Sequence, residues 1–151
     1  MRFSENDEKN MRLALRQAQL ALEEGEIPVG CALVSEGGEV LALARNRVEE
    51  TGDLSAHAEM MAIRSVNRHA LDGATLYVTL EPCPMCAGAL ALSGVKRLVF
   101  GAYDKKYGCC GSVYRLTEDP AFDRFCAADG GLLKEECEEK LHAFFSHLRA
   151  K

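Results

Sequence analysis

No stretch of this 151-residue chain holds the ~18–20 consecutive apolar residues of a membrane-spanning helix. The opening Met1-Arg2-Phe3-Ser4-Glu5-Asn6-Asp7 is too polar for a secretory leader. These absences predict no membrane association and a soluble, cytoplasmic protein. Internal repeats, low-complexity tracts and linkers are missing as well, which favours one domain over residues 1–151. With 4 prolines and 13 glycines a collagen-like chain is excluded, and 48% apolar residues exclude disorder. A chain of this size buries roughly two-thirds of its surface on folding, so it needs no disulfides. Its seven cysteines (31, 83, 86, 109, 110, 126 and 137) are odd in number and follow no leader. They argue for buried thiols plus a metal or redox site.

A surplus of basic residues is lacking too. Lys and Arg total 18 against 23 acidic residues, for a net charge of −5. The distribution qualifies the total, because residues 96–115 carry Lys96, Arg97, Lys105, Lys106 and Arg115 against Asp104 alone. An acidic protein can present such a run as a nucleic-acid contact, or simply as a solvated loop.

Met11, Ala14, Leu15, Ala18 and Leu22 recur at helical intervals, with Gly25 as a stop. Ile27 to Val34 and Glu39 to Ala44 read as a hairpin about Ser35-Glu36-Gly37-Gly38. Residues 46–56 read as loop and His57 to Arg68 as helix. Thr75 to Leu80 is β-rich and leads into Glu81-Pro82-Cys83-Pro84, where proline favours a helix start, and that helix runs to Ser93-Gly94. Arg97 to Gly101 reads as a short buried strand, and Lys134 to Arg149 as a final helix. This order predicts a mixed sheet with helices on both faces, a three-layer α/β/α architecture.

Two motifs open predicted helices: His57-Ala58-Glu59 and Pro82-Cys83-Pro84-Met85-Cys86. A helix N-terminus carries partial positive charge and unpaired N–H groups, which favour thiolate over thiol. Cys83 and Cys86, three apart in a first turn, can converge on one ion, and a neighbouring helix would add His57. Three N/S ligands suit Zn2+ and leave a fourth position for water. Glu59 falls beside that water without being a ligand, where it can take a proton and return it to a ring nitrogen or a departing amine. H-x-E followed by P-C-x-x-C is the known signature of zinc nucleobase deaminases. The alternatives are a closed site with Cys109 or Cys110 as fourth ligand, a non-catalytic zinc-stabilised binding protein, or a redox pair that leaves His57 and Glu59 without roles.

The run Thr75 to Ala89 resembles bacterial tRNA-specific adenosine deaminases of the TadA type. So do Glu26-Ile27-Pro28-Val29-Gly30, Ala56-His57-Ala58-Glu59, Val99-Phe100-Gly101-Ala102 and Gly111-Ser112. The resemblance implies a cytidine deaminase-like fold with a mixed five-stranded sheet, a homodimer, and conversion of adenosine to inosine at the wobble position of a tRNA anticodon stem-loop. It assigns Zn2+ to His57, Cys83 and Cys86 and the proton shuttle to Glu59. It matches Asn46 to a residue contacting the target nucleoside, Asp104 and Lys106 to a loop against the RNA backbone, and Phe144 and Phe145 to an aromatic pair on the nucleic-acid path. Leu141, Phe144, Phe145 and Leu148 also keep helical spacing, so one phenylalanine is expected in the core and the other on RNA. The chain departs from the family in a shorter Ser65–Asp72 segment, in Tyr107, and in Asp123-Arg124-Phe125 where Asn-His-Arg is common. A nucleobase or nucleoside deaminase on the same scaffold is the competing enzyme. The nearly apolar 83–93 helix is the expected dimer surface.

Overall fold

Ser4 starts the first helix. Its Oγ accepts the Asp7 N–H at 3.0 Å while the Asp7 carboxylate accepts the Ser4 N–H at 3.0 Å, a reciprocal capping box. The resulting helix α1 (Glu5–Glu23) buries Met11, Ala14, Leu15 and Ala18 as the spacing predicts, and Ala21 rather than Leu22 ends the buried stripe. We describe residues 2–150 of a computed structural model, so Met1 and Lys151, the ends of the expected domain, lie outside the described residues.

Five strands follow: β1 (Gly30–Val34), β2 (Val40–Arg45), β3 (Thr75–Leu80), β4 (Arg97–Ala102) and β5 (Ala127–Gly130). They form one sheet in the order β2-β1-β3-β4-β5. β1 pairs antiparallel with β2 and β3, whereas β3–β4 and β4–β5 are parallel. One face buries Cys31, Leu33, Leu76, Val78, Leu98 and Phe100 beneath α3 (Ala58–Arg64) and α4 (Pro84–Ser93). The other buries Ala32, Tyr77 and Val99 beneath α1 and α5 (Lys134–Ala150). This is the expected three-layer arrangement. On the α1/α5 face two glycines permit close approach: a Cβ on Gly30 would overlap the α1 backbone at Ala14 and Ala18, and one on Gly101 would overlap Cys137 of α5.

The Asp7 carboxylate also fastens α1 to the sheet, accepting hydrogen bonds from the Tyr77 hydroxyl at 2.7 Å and from Arg97 at 2.8 and 3.1 Å. Burial alone would raise its pKa. Hydrogen bonds from Arg97, the Ser4 N–H and Tyr77 outweigh that and hold it at about 2.

Four local expectations change. β1 begins at Gly30 rather than Ile27, since Pro28 brings no N–H to a ladder. The 46–56 loop contains a one-turn helix, α2 (Val48–Thr51). α3 stops at Arg64 because Asn67 caps a separate 3-10 turn, Arg68–Leu71, its side chain accepting the His69 N–H at 2.9 Å. The helical and β patterns indicate only four strands, because Ala127-Ala128-Asp129-Gly130 lacks β-branched residues; pairing with β4 makes it a strand. Among the described residues no helix is long and apolar enough to cross a membrane.

Candidate active site

The carboxyl end of β3 and the amino ends of α3 and α4 meet at one place. His57 is the N-cap residue of α3 and Cys83 the N-cap residue of α4, with Pro84 in the first helical position. From these caps His57 Nδ1 lies 3.5 Å from Cys83 Sγ and 3.6 Å from Cys86 Sγ. A tetrahedral zinc with ordinary Zn–S and Zn–N bonds separates its S and N ligands by about 3.5 Å. The donor set and its spacing therefore fit zinc. Among the described residues, this trio alone forms a candidate metal cluster, all its ligand atoms lying within 4.8 Å of one another. Cys109 and Cys110 are buried nearby but do not join it.

The electrostatics match the geometry. A hydrogen bond from Cys86 overcomes partial burial and, with His57, holds the Cys83 thiol down to about 4. Cys86, which keeps the shared proton and is more deeply buried, is raised, and the partnership with Cys83 raises His57. Glu59 lies in the first turn of α3 and is only 4% exposed. Burial pushes its carboxyl up to about 7, against the lowering influence of its own backbone N–H. Beneath α3, Cys31 of β1 donates its S–H to the Ala58 carbonyl at 3.1 Å, tying the helix start to the sheet.

His57, Glu59 and Cys83 line a cavity of about 430 Å³ whose walls include Asn46, Asp104 and Tyr107. Asn46, expected from sequence as a substrate contact, is 6% exposed. Asp104 follows β4 and stands opposite, in the 103–112 loop. Lys106 is exposed outside the cavity lining, its ammonium 5.4 Å from the Tyr107 ring centroid. Phe145 is not in the cavity either. It lies in a shallow groove on α5 beside Tyr103, exposed, with the half-buried Phe144 edge-on at 5.2 Å. Arg124 of the departing Asp123-Arg124-Phe125 run donates to the Leu92 carbonyl of α4 at 3.2 Å.

The basic run does not survive folding as one patch. Arg97 pairs with Asp7 and Asp129, and Arg115 with Glu118. Lys96 precedes β4 while Lys105 and Lys106 follow it, so the strand holds them roughly 20 Å apart. Lys105 and Lys106 remain as the cations of the run near the cavity. Linear proximity concealed a strand between the charges.

Two buried carboxylates escaped the sequence reading. Glu26, 1% exposed, caps α2 by accepting the N–H groups of Glu49 at 2.9 Å and Glu50 at 2.8 Å. Glu81, 2% exposed, accepts from the 103–112 loop. The available signal was an acid directly abutting an apolar run in each case, at Glu26-Ile27-Pro28-Val29 and Thr79-Leu80-Glu81.

Fold and ligand trio together define a zinc-dependent deaminase. Residues 4–102 match the model of the cytidine and deoxycytidylate deaminase zinc-binding region, and the chain belongs to that family. Within it, the chain is 46% identical over 149 residues to a tRNA-specific adenosine deaminase of Bacillus subtilis, covering 96% of this chain and 92% of that protein. It is 45% identical over 143 residues to the tRNA-specific adenosine deaminase of Aquifex aeolicus, covering 92% and 93%. A solved structure from work on A-to-I editing by tRNA:A34 deaminases superposes with a TM-score of 0.82 at 40% identity, covering 88% of this chain and 99% of that one. A guanine deaminase from Nitrosomonas europaea shares the fold at a TM-score of 0.76 but only 22% identity, covering 92% and 84%.

Proposed function

We propose that this protein deaminates adenosine to inosine at the wobble position of a tRNA anticodon stem-loop, acting as a cytoplasmic homodimer. The observation that carries the chemistry is a buried Glu59 carboxyl on the same cavity wall as the His57–Cys83–Cys86 trio. The kinship at 46% identity with a tRNA-specific adenosine deaminase supports the substrate.

In this reading His57, Cys83 and Cys86 hold zinc. Two thiolates and a neutral imidazole balance its charge, and the bound metal supplies Lewis-acid activation of water. Glu59 accepts the water proton and delivers it first to the purine ring nitrogen and then to the departing amine, so that water adds and ammonia leaves. A carboxyl near 7 suits both tasks at neutral pH. Asn46 orients the purine's polar edge from the cavity wall. Asp104 bounds the mouth, and Lys106 and Phe145 contact RNA beyond it. Support for the homodimer comes from α4, which exposes Leu92 (74%) and Met85 beside the buried Leu90 and Ala91.

The test is an inosine assay on an anticodon stem-loop with adenosine at the wobble position, with free adenosine, cytidine and guanine in parallel. Efficient turnover of a free base or nucleoside, with no gain from the stem-loop, would replace this reading with a small-molecule deaminase.

A further inference from the structure

Glu81 is an acid with no cation. Among the described residues it enters no ion pair, yet its carboxylate is almost fully buried. Every donor that it accepts comes from one segment. Oε1 takes the Asp104 N–H at 3.0 Å and the Ser112 hydroxyl at 2.5 Å, and Oε2 takes the N–H groups of Cys110 at 3.1 Å and Ser112 at 2.9 Å. The loop thus closes around a single carboxylate. Gly108 is the point of closest approach, since a Cβ there would overlap the Glu81 carboxyl carbon and the Asp104 carbonyl. Two backbone bonds flank this clasp: Glu81 N–H to the Ala102 carbonyl at 2.9 Å and Cys109 N–H to the Pro82 carbonyl at 2.9 Å.

The loop so held is the cavity wall that carries Asp104 and Tyr107. Glu81 itself lies two residues before Cys83, on the turn that carries the candidate metal ligands. We infer that Glu81 is a positioning residue, which fixes the 103–112 wall to the ligand-bearing turn and thereby sets the affinity of the cavity mouth for its substrate. The wall does not touch the reacting atoms, so its displacement weakens ground-state and transition-state binding alike. That this wall meets RNA rests on the proposed function; that Glu81 holds it does not.

The experiment compares Glu81→Gln with the wild-type protein loaded with zinc. Glutamine keeps the shape but presents an NH2 to at least one of the loop N–H donors, whichever way the amide turns. Hydrogen exchange of the Asp104, Cys110 and Ser112 amides is expected to accelerate about tenfold or more, with α1 and β3 unchanged. On the stem-loop, KM is expected to rise about tenfold with kcat within about threefold, and zinc content is retained. Gly108→Ala, which crowds the clasp from the opposite side, reproduces the same split. If Glu81→Gln does not fold, Ser112→Ala removes the hydroxyl donor alone and gives a smaller shift in the same direction. Unchanged loop exchange would overturn the inference, as would a fall in kcat with KM unchanged, the mark of a smaller folded fraction. A wild-type protein inactive on the stem-loop would refute the proposed function instead, and the exchange measurement would still decide the role of Glu81.

Discussion

His57 and Cys83 occupy equivalent positions: each is the N-cap residue of its helix, and their ligand atoms lie 3.5 Å apart. Neither side chain caps its own helix by a hydrogen bond. The cap position, which usually holds Ser, Thr, Asp or Asn to satisfy the first turn, is given to metal-ligating side chains here. Extended backbone at both caps turns the side chains toward the gap between the helices.

The metal is therefore expected to contribute to folding. Cys86→Ala should lose zinc and lower the unfolding midpoint, because assembling the site is coupled to folding free energy. Metal analysis and denaturant titration check this together. One zinc per chain in the wild type and full retention in Cys86→Ala would contradict the ligand assignment.

Glu59 separates catalysis from metal binding. Glu59→Ala should keep the fold and zinc, while turnover falls by about two to four orders of magnitude, the usual scale for positioned acid–base catalysis. Single-turnover inosine formation measures it. A fully active variant would assign the proton transfer to another group.

Legibility in the sequence followed the range of the interactions. The α1 stripe and the Thr75–Leu80 strand were readable from spacing alone, and so were the two helix-opening motifs, because local periodicity and a cysteine pair carry their own signal. β5 was not, since Ala127–Gly130 is a strand only by pairing with β4. The basic run misled for the complementary reason: Asp7, ninety positions upstream, neutralises Arg97. Glu81 was hidden because its partners lie 23 to 31 residues away, on a loop without periodicity.

The same Asp7–Arg97 contact gives a pH dependence. The folded carboxyl titrates at about 2, below its ordinary 3.8, so its contribution is complete above pH 4 and is lost as pH falls from about 4 to 2. Arg97 is 28% exposed, and with that screening the contribution is about 1–2 kcal/mol. Urea unfolding at pH 5 and pH 2.5 should show a drop that shrinks by this amount in Asp7→Asn. An equal drop in both proteins would place the acid sensitivity elsewhere.

The dimer surface has a direct probe in Leu92. A glutamate there adds charge to a side chain that is already 74% exposed, so the chain should fold normally. If α4 forms the contact, Leu92→Glu should convert a dimer to a monomer in sedimentation at micromolar concentration. A variant that sediments as the wild-type dimer does would move the interface off α4.

The splitting of the basic run predicts how RNA affinity responds to salt. Lys105 and Lys106 flank the cavity, while Lys96 lies at the far end of β4. Each phosphate neutralised on a single strand contributes about 0.7 to the slope of log affinity against log salt, through counterion release. Lys106→Ala should weaken stem-loop binding and flatten that slope by roughly one phosphate, with zinc content unchanged. Lys96→Ala removes the same charge and leaves the net charge of the two variants equal. It should bind with the wild-type slope, since its site lies roughly 20 Å from the cavity. Equal effects from both substitutions would mean that RNA responds to the total charge of the protein. An unchanged slope in Lys106→Ala would remove the 103–112 loop from the phosphate path.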